Sequence, residues 1–319
     1  MRKHPQRWVR LRVALAVCLI AGSTAQGEPE SNGFSLEGAA VPAAEVVAGG
    51  PPRDGIKSVD APRFSSVEEA KTVRPSTQVI GVEINGDARA YPVHLLEYHQ
   101  IINDDFSGRK VAVTYDPLSG TPAVFDAEVD GVSLEFGVSG LLYESNFLLY
   151  DRQSDSLWSQ MLGRAISGPR RGEQLRRLRA RQEPFGAWLE KHPATRVLQR
   201  PFPKKIDYRR SPFESYWITD EIPHPVSARD DRFHQKAGVL GLTVDGRSRA
   251  YLGPVLMTAG GRIVDEFQGH KVRIAYDVES SSFLWDVPEE VEVTDAYWFS
   301  WKAFHPDTEV WQPDSPGGS

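Results

Sequence analysis

His99 and Asp116 are the two side chains of this sequence whose type and position best suit chemistry. Read as a helix at about 100° per residue, the segment 92–102 sets His94 and His99 about 140° apart, so the imidazoles do not share a face. His94 falls with Glu97 and Tyr98 on the outer side. His99 lies between Leu95 and Ile102 on the core side, with Asn103 one turn on. An inward histidine beside an asparagine is either a hydrogen-bonded core residue or a ligand-binding, metal-binding or proton-transfer group. Asp116 follows a strand expected at 110–115 and precedes Pro117 in a tight loop. A carboxylate there can ligate a metal, act as nucleophile or general base, or close an Asx turn on its own amides. His99 and Asp116 are the candidate catalytic pair and the tentative ligands of a divalent metal ion, the one cofactor these residue types suggest. A zinc site would need a third ligand, and none is identified. Arg89, Tyr91, Asn103 and Tyr115 are candidate ligand-binding residues around the pair, walled by Tyr143 and Trp158.

The elements that must position these groups come in two similar sets. Residues 79–91 match 239–251, and 102–116 match 263–277; 14 of the 28 positions are identical. A third match pairs Trp188, His192 and Thr195 with Trp301, His305 and Thr308. Three collinear matches point to two homologous units, at about 79–199 and 239–312. Each opens with an alternating strand and a two-residue turn, Asn85-Gly86 or Asp245-Gly246. In the first unit a short helix runs from Pro92 to about Ile102. Strands follow at 110–115, 122–126, 132–138 and 146–150, and helices at 173–181 and 184–191. The expected class is α+β and β-rich. His99, Gln100 and Asn103 align with Gly260, Gly261 and Val264, so the candidate site belongs to the first unit. His192 and His305, kept in both units, read as helix stops packed on tryptophan.

Length and composition set the frame. With 319 residues, 25 % charged and 40 % hydrophobic, there is room for one large or two ordinary domains. Arg2, Lys3, Arg7, Arg10 and Arg12 precede an apolar run at 13–21, and Ser23-Thr24-Ala25 supplies small residues for cleavage. This predicts a signal peptide over 1–25 and an exported protein, periplasmic or extracellular. A flexible lead-in at 26–48, a first unit at 49–235 and a second at 236–319 complete the expected organisation. Cleavage would leave 32 Lys and Arg (37 less 5) against 43 Asp and Glu, a formal charge of −11, which disfavours nucleic acid as a partner. It would also remove Cys18, the only cysteine, and with it disulfide and thiolate chemistry. No membrane span is expected in the mature chain. The arginine run from Arg164 to Arg181 reads as a solvated helix face and loop, with an anion-binding patch as the alternative. The common hydrolase, zinc-protease, P-loop and dinucleotide signatures are missing.

The sequence resembles the domain of unknown function 3179 family. The resemblance runs through Arg89-Ala-Tyr-Pro92, His99 with Asn103-Asp104, the stretch 113–121, Phe136-Gly-Val-Ser-Gly140, Ser156-Leu-Trp-Ser-Gln160 and Phe304-His-Pro-Asp-Thr308. It implies kinship without an activity. Many relatives carry two cysteines where this chain has Asp116 and Ser119, and glutamate where it has Gln100. A thiol centre is therefore impossible here, and the substitution leaves either oxygen ligands suited to a harder ion or a relic of the pocket. Two functions follow as expectations. One is ligand binding or interaction through the polar and aromatic pocket of the first unit, with a small-molecule or protein partner. The alternative is a metal-dependent or acid–base enzyme using His99 and Asp116.

Overall fold

The computed structural model describes residues 30–202 and 206–313; the expected signal segment and Cys18 lie outside them. Of these residues 42 % are strand and 12 % helix, so the structure is β-rich. Among the described residues the helices, none longer than seven residues, connect strands and form no layer of their own.

The hairpins form where expected. Gln78–Ile84 pairs with Asp87–Pro92 in the register Val79↔Pro92 to Ile84↔Asp87. Asn85 (φ 52°) and Gly86 (φ 82°) make the turn that a right-handed strand twist requires. Gly238–Val244 and Arg247–Leu252 repeat this register around Asp245 and Gly246.

Five sheets of three to five strands stand in a five-blade, propeller-like arrangement. The first hairpin lies in one five-stranded sheet with Arg181–Pro184 and Arg196–Leu198. Ile101–Phe106, Arg109–Asp116 and Thr121–Asp126 form the next, and the other five-stranded sheet is built on Phe136–Tyr143 and Asn146–Asp151. The second hairpin and the sheet Arg262–Phe267, His270–Asp277, Ser282–Asp286 complete the five. Their cores lie between adjacent faces. Ile80, Val82 and Tyr91 meet Ile102, Val111 and Val113. Ile101, Ala112 and Phe125 meet Phe136, Leu149 and Trp158. Leu240 and Tyr251 meet Val272 and Ile274. From the lead-in, Val46–Ala48 adds an edge strand beside Phe136–Tyr143.

Matched residues make matched bonds. The Trp188 and Trp301 indoles donate to Thr195 and Thr308 at 2.9 and 3.0 Å. His192 and His305 end their helices and stack on those tryptophans, each at 3.8 Å.

Three elements differ from the expectation. The strand expected at 132–138 is broken: Val132–Ser133 pairs back on Glu128–Val129, and a separate strand begins at Phe136. The helix from Pro92 stops at His99, because Gln100 takes a positive φ of 57° and the chain turns into a strand at Ile101. The helix expected at 173–181 is extended chain, with strands Arg177–Leu178 and Arg181–Pro184. Arg177, Arg179 and Arg181 alternate with Leu178 and Ala180, a period of two that suits a strand. Leu178 and Ala180 pack on the core. Arg177 and Arg181 are half-buried against neighbouring elements, whereas Arg179 stays exposed. Arg177 donates to the Met161 carbonyl at 2.6 Å, and Arg181 lies 3.9 Å over the Trp285 ring.

Candidate functional site

Asp116 ends its strand fully buried, inside a polar network. Its carboxylate accepts from the Leu118 amide (3.0 Å), the Ser119 hydroxyl (2.8 Å), the Asn146 side chain (2.9 Å) and the Phe147 amide (3.2 Å). The Leu118 bond is the Asx turn. Asn146 also donates to Gln160 Oε1 at 2.9 Å, and Gln160 donates to the Thr121 carbonyl at 2.9 Å. Burial pushes the Asp116 carboxyl up to about 6, against the pull of the Ser119, Leu118, Phe147 and Asn146 bonds. Asp277 makes the same turn, accepting from the Glu279 amide and the Ser280 hydroxyl, without that burial.

His99 is equally sealed. Its Nδ1 lies 2.7 Å from the Lys57 carbonyl, which can only accept, so Nδ1 carries the proton. Nε2 then accepts from the Tyr208 hydroxyl at 2.7 Å. Burial holds the imidazole below its usual range, partly offset by the Lys57 bond. Both ring nitrogens have protein partners, and His99 shares no hydrogen bond with Asp116.

The remaining candidates divide into separate clusters. Arg89 pairs with Asp104 at 2.6 Å, and the Tyr91 hydroxyl donates to the same carboxylate. Arg249 and Tyr251 treat Asp265 alike, at 2.8 and 2.7 Å. Asn103 ties two sheets together: its amide donates to the Asp60 carboxylate and the Phe136 carbonyl, each at 2.8 Å, and accepts from the Phe136 amide at 3.0 Å. Trp158 is sealed in the core and donates to Asp151 at 2.9 Å. Tyr143 meets Phe304 edge-on at 5.8 Å. Tyr115 is buried, and that burial together with Tyr297 raises its hydroxyl pKa. Only Arg89 and Asn103 line an open cleft, of about 440 Å³, with Asp60, Phe64, Lys110 and Arg196 on its walls. Neither His99 nor Asp116 lines this cleft.

Several site residues were not singled out by sequence reasoning. Asn146 and Gln160 complete the Asp116 network from the sheet that the second unit lacks. Glu97, assigned to an outer face, is buried, and its Oε2 has no hydrogen-bond partner in the structure. Burial raises its pKa, opposed by a Ser211 bond and reinforced by Glu214. The connection after residue 206 covers this side, where the Tyr216 hydroxyl donates to the Leu118 carbonyl at 2.7 Å; from the second unit, the end of strand Glu292–Tyr297 adds a bond from the Tyr297 amide to the Ser119 carbonyl at 2.7 Å. Periodicity within one helix carries no signal for so distant a cover.

Among the described residues, no group of three or more His, Cys, Asp or Glu side chains is placed to hold a metal ion. No helix of these residues is long and apolar enough to cross a membrane. The family model described as "Protein of unknown function (DUF3179)" matches residues 53–287. The chain belongs to this family. In this DUF3179 chain the match takes in the Asp116 network, His99 and the Arg89 cleft, and runs to the end of the sheet closed by Ser282–Asp286. No curated protein and no solved structure matches the chain.

Proposed function

We propose that this DUF3179 chain is an exported binding or interaction protein, using the cleft beside Arg89 and Asn103 in its first unit. One observation carries the reading: the two residues best suited to catalysis are spent inside the fold. Both His99 nitrogens and both Asp116 oxygens have protein partners. The cleft, by contrast, is open and mixes cations with acids, Lys110 and Arg196 with Asp60 and Glu135. Small polar ligands suit such a lining. The matched hairpins, Trp–Thr bonds and Asx turns support descent of the two units from one duplicated ancestor. The basic and apolar segment at 1–25 supports export, with processing after Ala25.

The metal-dependent or acid–base enzyme keeps one specific observation in its favour. Asp116 has the raised pKa that a general acid requires. A screen of small polar compounds by amide chemical shifts separates the readings. Binders are expected to shift the amides of Arg89, Asn103 and Lys110, and to lose affinity by about tenfold in Asn103→Ala. Shifts centred on Asp116 and Leu118 would instead favour the enzyme.

A further inference from the structure

The outer edge of the sheet Arg262–Phe267, His270–Asp277, Ser282–Asp286 differs from its counterpart in the first unit. There, Ile101–Phe106 is the matching edge strand, and the chain covers it with its own residues 57–60. The Val59 amide donates to the Ile101 carbonyl at 2.9 Å, and the Asn103 amide donates to the Val59 carbonyl at 2.8 Å. Those bonds show that Asn103 turns its main-chain groups away from the neighbouring strand. Val264 holds the same register against Arg273 that Asn103 holds against Ala112. Its N–H and C=O therefore face outward. No backbone group of the described residues meets them.

The side chains on this edge carry a pattern of their own. Val264 is 62 % exposed. Arg262 and Glu266 stand two residues to either side of it, both exposed, and neither forms an ion pair among the described residues. Met257, also exposed, belongs to the preceding helix. An uncovered strand edge with exposed apolar residues is a template for another strand.

We propose that this edge is a self-association surface, on which a second copy of the chain docks antiparallel in the register Val264 to Val264. The two valines exchange their main-chain hydrogen bonds. Arg262 of one copy then stands opposite Glu266 of the other, and the reverse holds at the other flank, because the charges are arranged symmetrically about Val264. This self-complementarity is what a two-fold interface needs. The outward backbone groups of Glu266 already meet the Asp265 carboxylate and the Arg249 guanidinium, so the flanks are joined through side chains. The contact is short, which makes the dimer weak and concentration-dependent.

Sedimentation velocity of the purified chain from about 1 to 200 μM tests this, with circular dichroism confirming that each variant is folded. The wild type is expected to move from monomer to dimer across that range. Arg262→Glu alone and Glu266→Arg alone each oppose like charges, and each should weaken association by about tenfold or more. The double variant Arg262→Glu/Glu266→Arg restores the pairing and should return association to the wild-type level. A wild type that stays monomeric throughout overturns the proposal, with Arg262 and Glu266 then acting as guards that keep the edge solitary. A dimer indifferent to the single charge changes, or one not restored in the double variant, overturns it equally.

Discussion

Replacing Asp116 by alanine is expected to lower stability by about 3 kcal/mol, whereas Asp277→Ala lowers it by less than about 1 kcal/mol. The two aspartates close the same turn, so the turn itself cancels in the comparison. What differs is burial and the donors gathered at Asp116. Without the carboxylate, the Leu118 and Phe147 amides lose their acceptor away from water, and each such orphan costs on the order of 1–3 kcal/mol. Asn146 and Ser119 retain partners in Gln160 and Thr121, which limits the total. The pH dependence has a definite sign. The Asp116 carboxyl is held near 6 in the folded chain against an ordinary 3.8, so the folded state binds the proton more tightly. Its contribution is therefore fullest below the ordinary value and is lost as pH rises through about 6. The deficit of Asp116→Ala, read from urea unfolding, should be larger at pH 4 than at pH 8, by on the order of 2 kcal/mol. A deficit that grew with pH would contradict the burial that sets the shift.

Gly81→Ala and Gly241→Ala should each cost about 3 kcal/mol or more, through overpacking. A Cβ on Gly81 would overlap the Trp188 ring, and one on Gly241 the Trp301 ring. Neither indole has room to retreat: each is buried and hydrogen-bonded to a threonine. Thermal unfolding of the two variants should give closely similar losses, since the two sites repeat one arrangement. Asn85-Gly86 supplies the control, because a Cβ on Gly86 meets nothing within 4 Å, although its positive φ strains any other residue there. A loss at Gly81 or Gly241 no larger than the loss at Gly86 would contradict this packing.

Much of the framework was legible because it rests on short-range rules. The turn residues, the alternation in 78–84 and the inward side of His99 follow from spacing alone. The extended chain at 177–184 was legible too, in the alternation of Arg177, Arg179 and Arg181 with Leu178 and Ala180, but the density of arginine favoured a solvated helix. What spacing could not convey is which distant segment closes each site. The Asp116 network depends on Asn146 and Gln160, and His99 depends on Lys57 and Tyr208, contacts 42 and 109 residues away in sequence. Candidates expected around one pocket are therefore divided among clusters that different segments seal. Glu97 shows the same effect, placed outside by helix geometry and buried by residues beyond 206.

The proposed binding function requires that His99 and Asp116 serve the fold and not a reaction. The metal-to-protein ratio of the purified chain, determined by mass spectrometry beside folded Asp116→Asn and His99→Gln variants, tests it most directly. A metal site on these residues would have to displace the Tyr208 hydroxyl from the one lone pair of His99, at Nε2, and compete with four donors for the Asp116 carboxylate. Only trace metal is expected, the same in all three proteins. About one equivalent in the wild type, lost from both folded variants, would contradict it and return the site to metal-dependent catalysis.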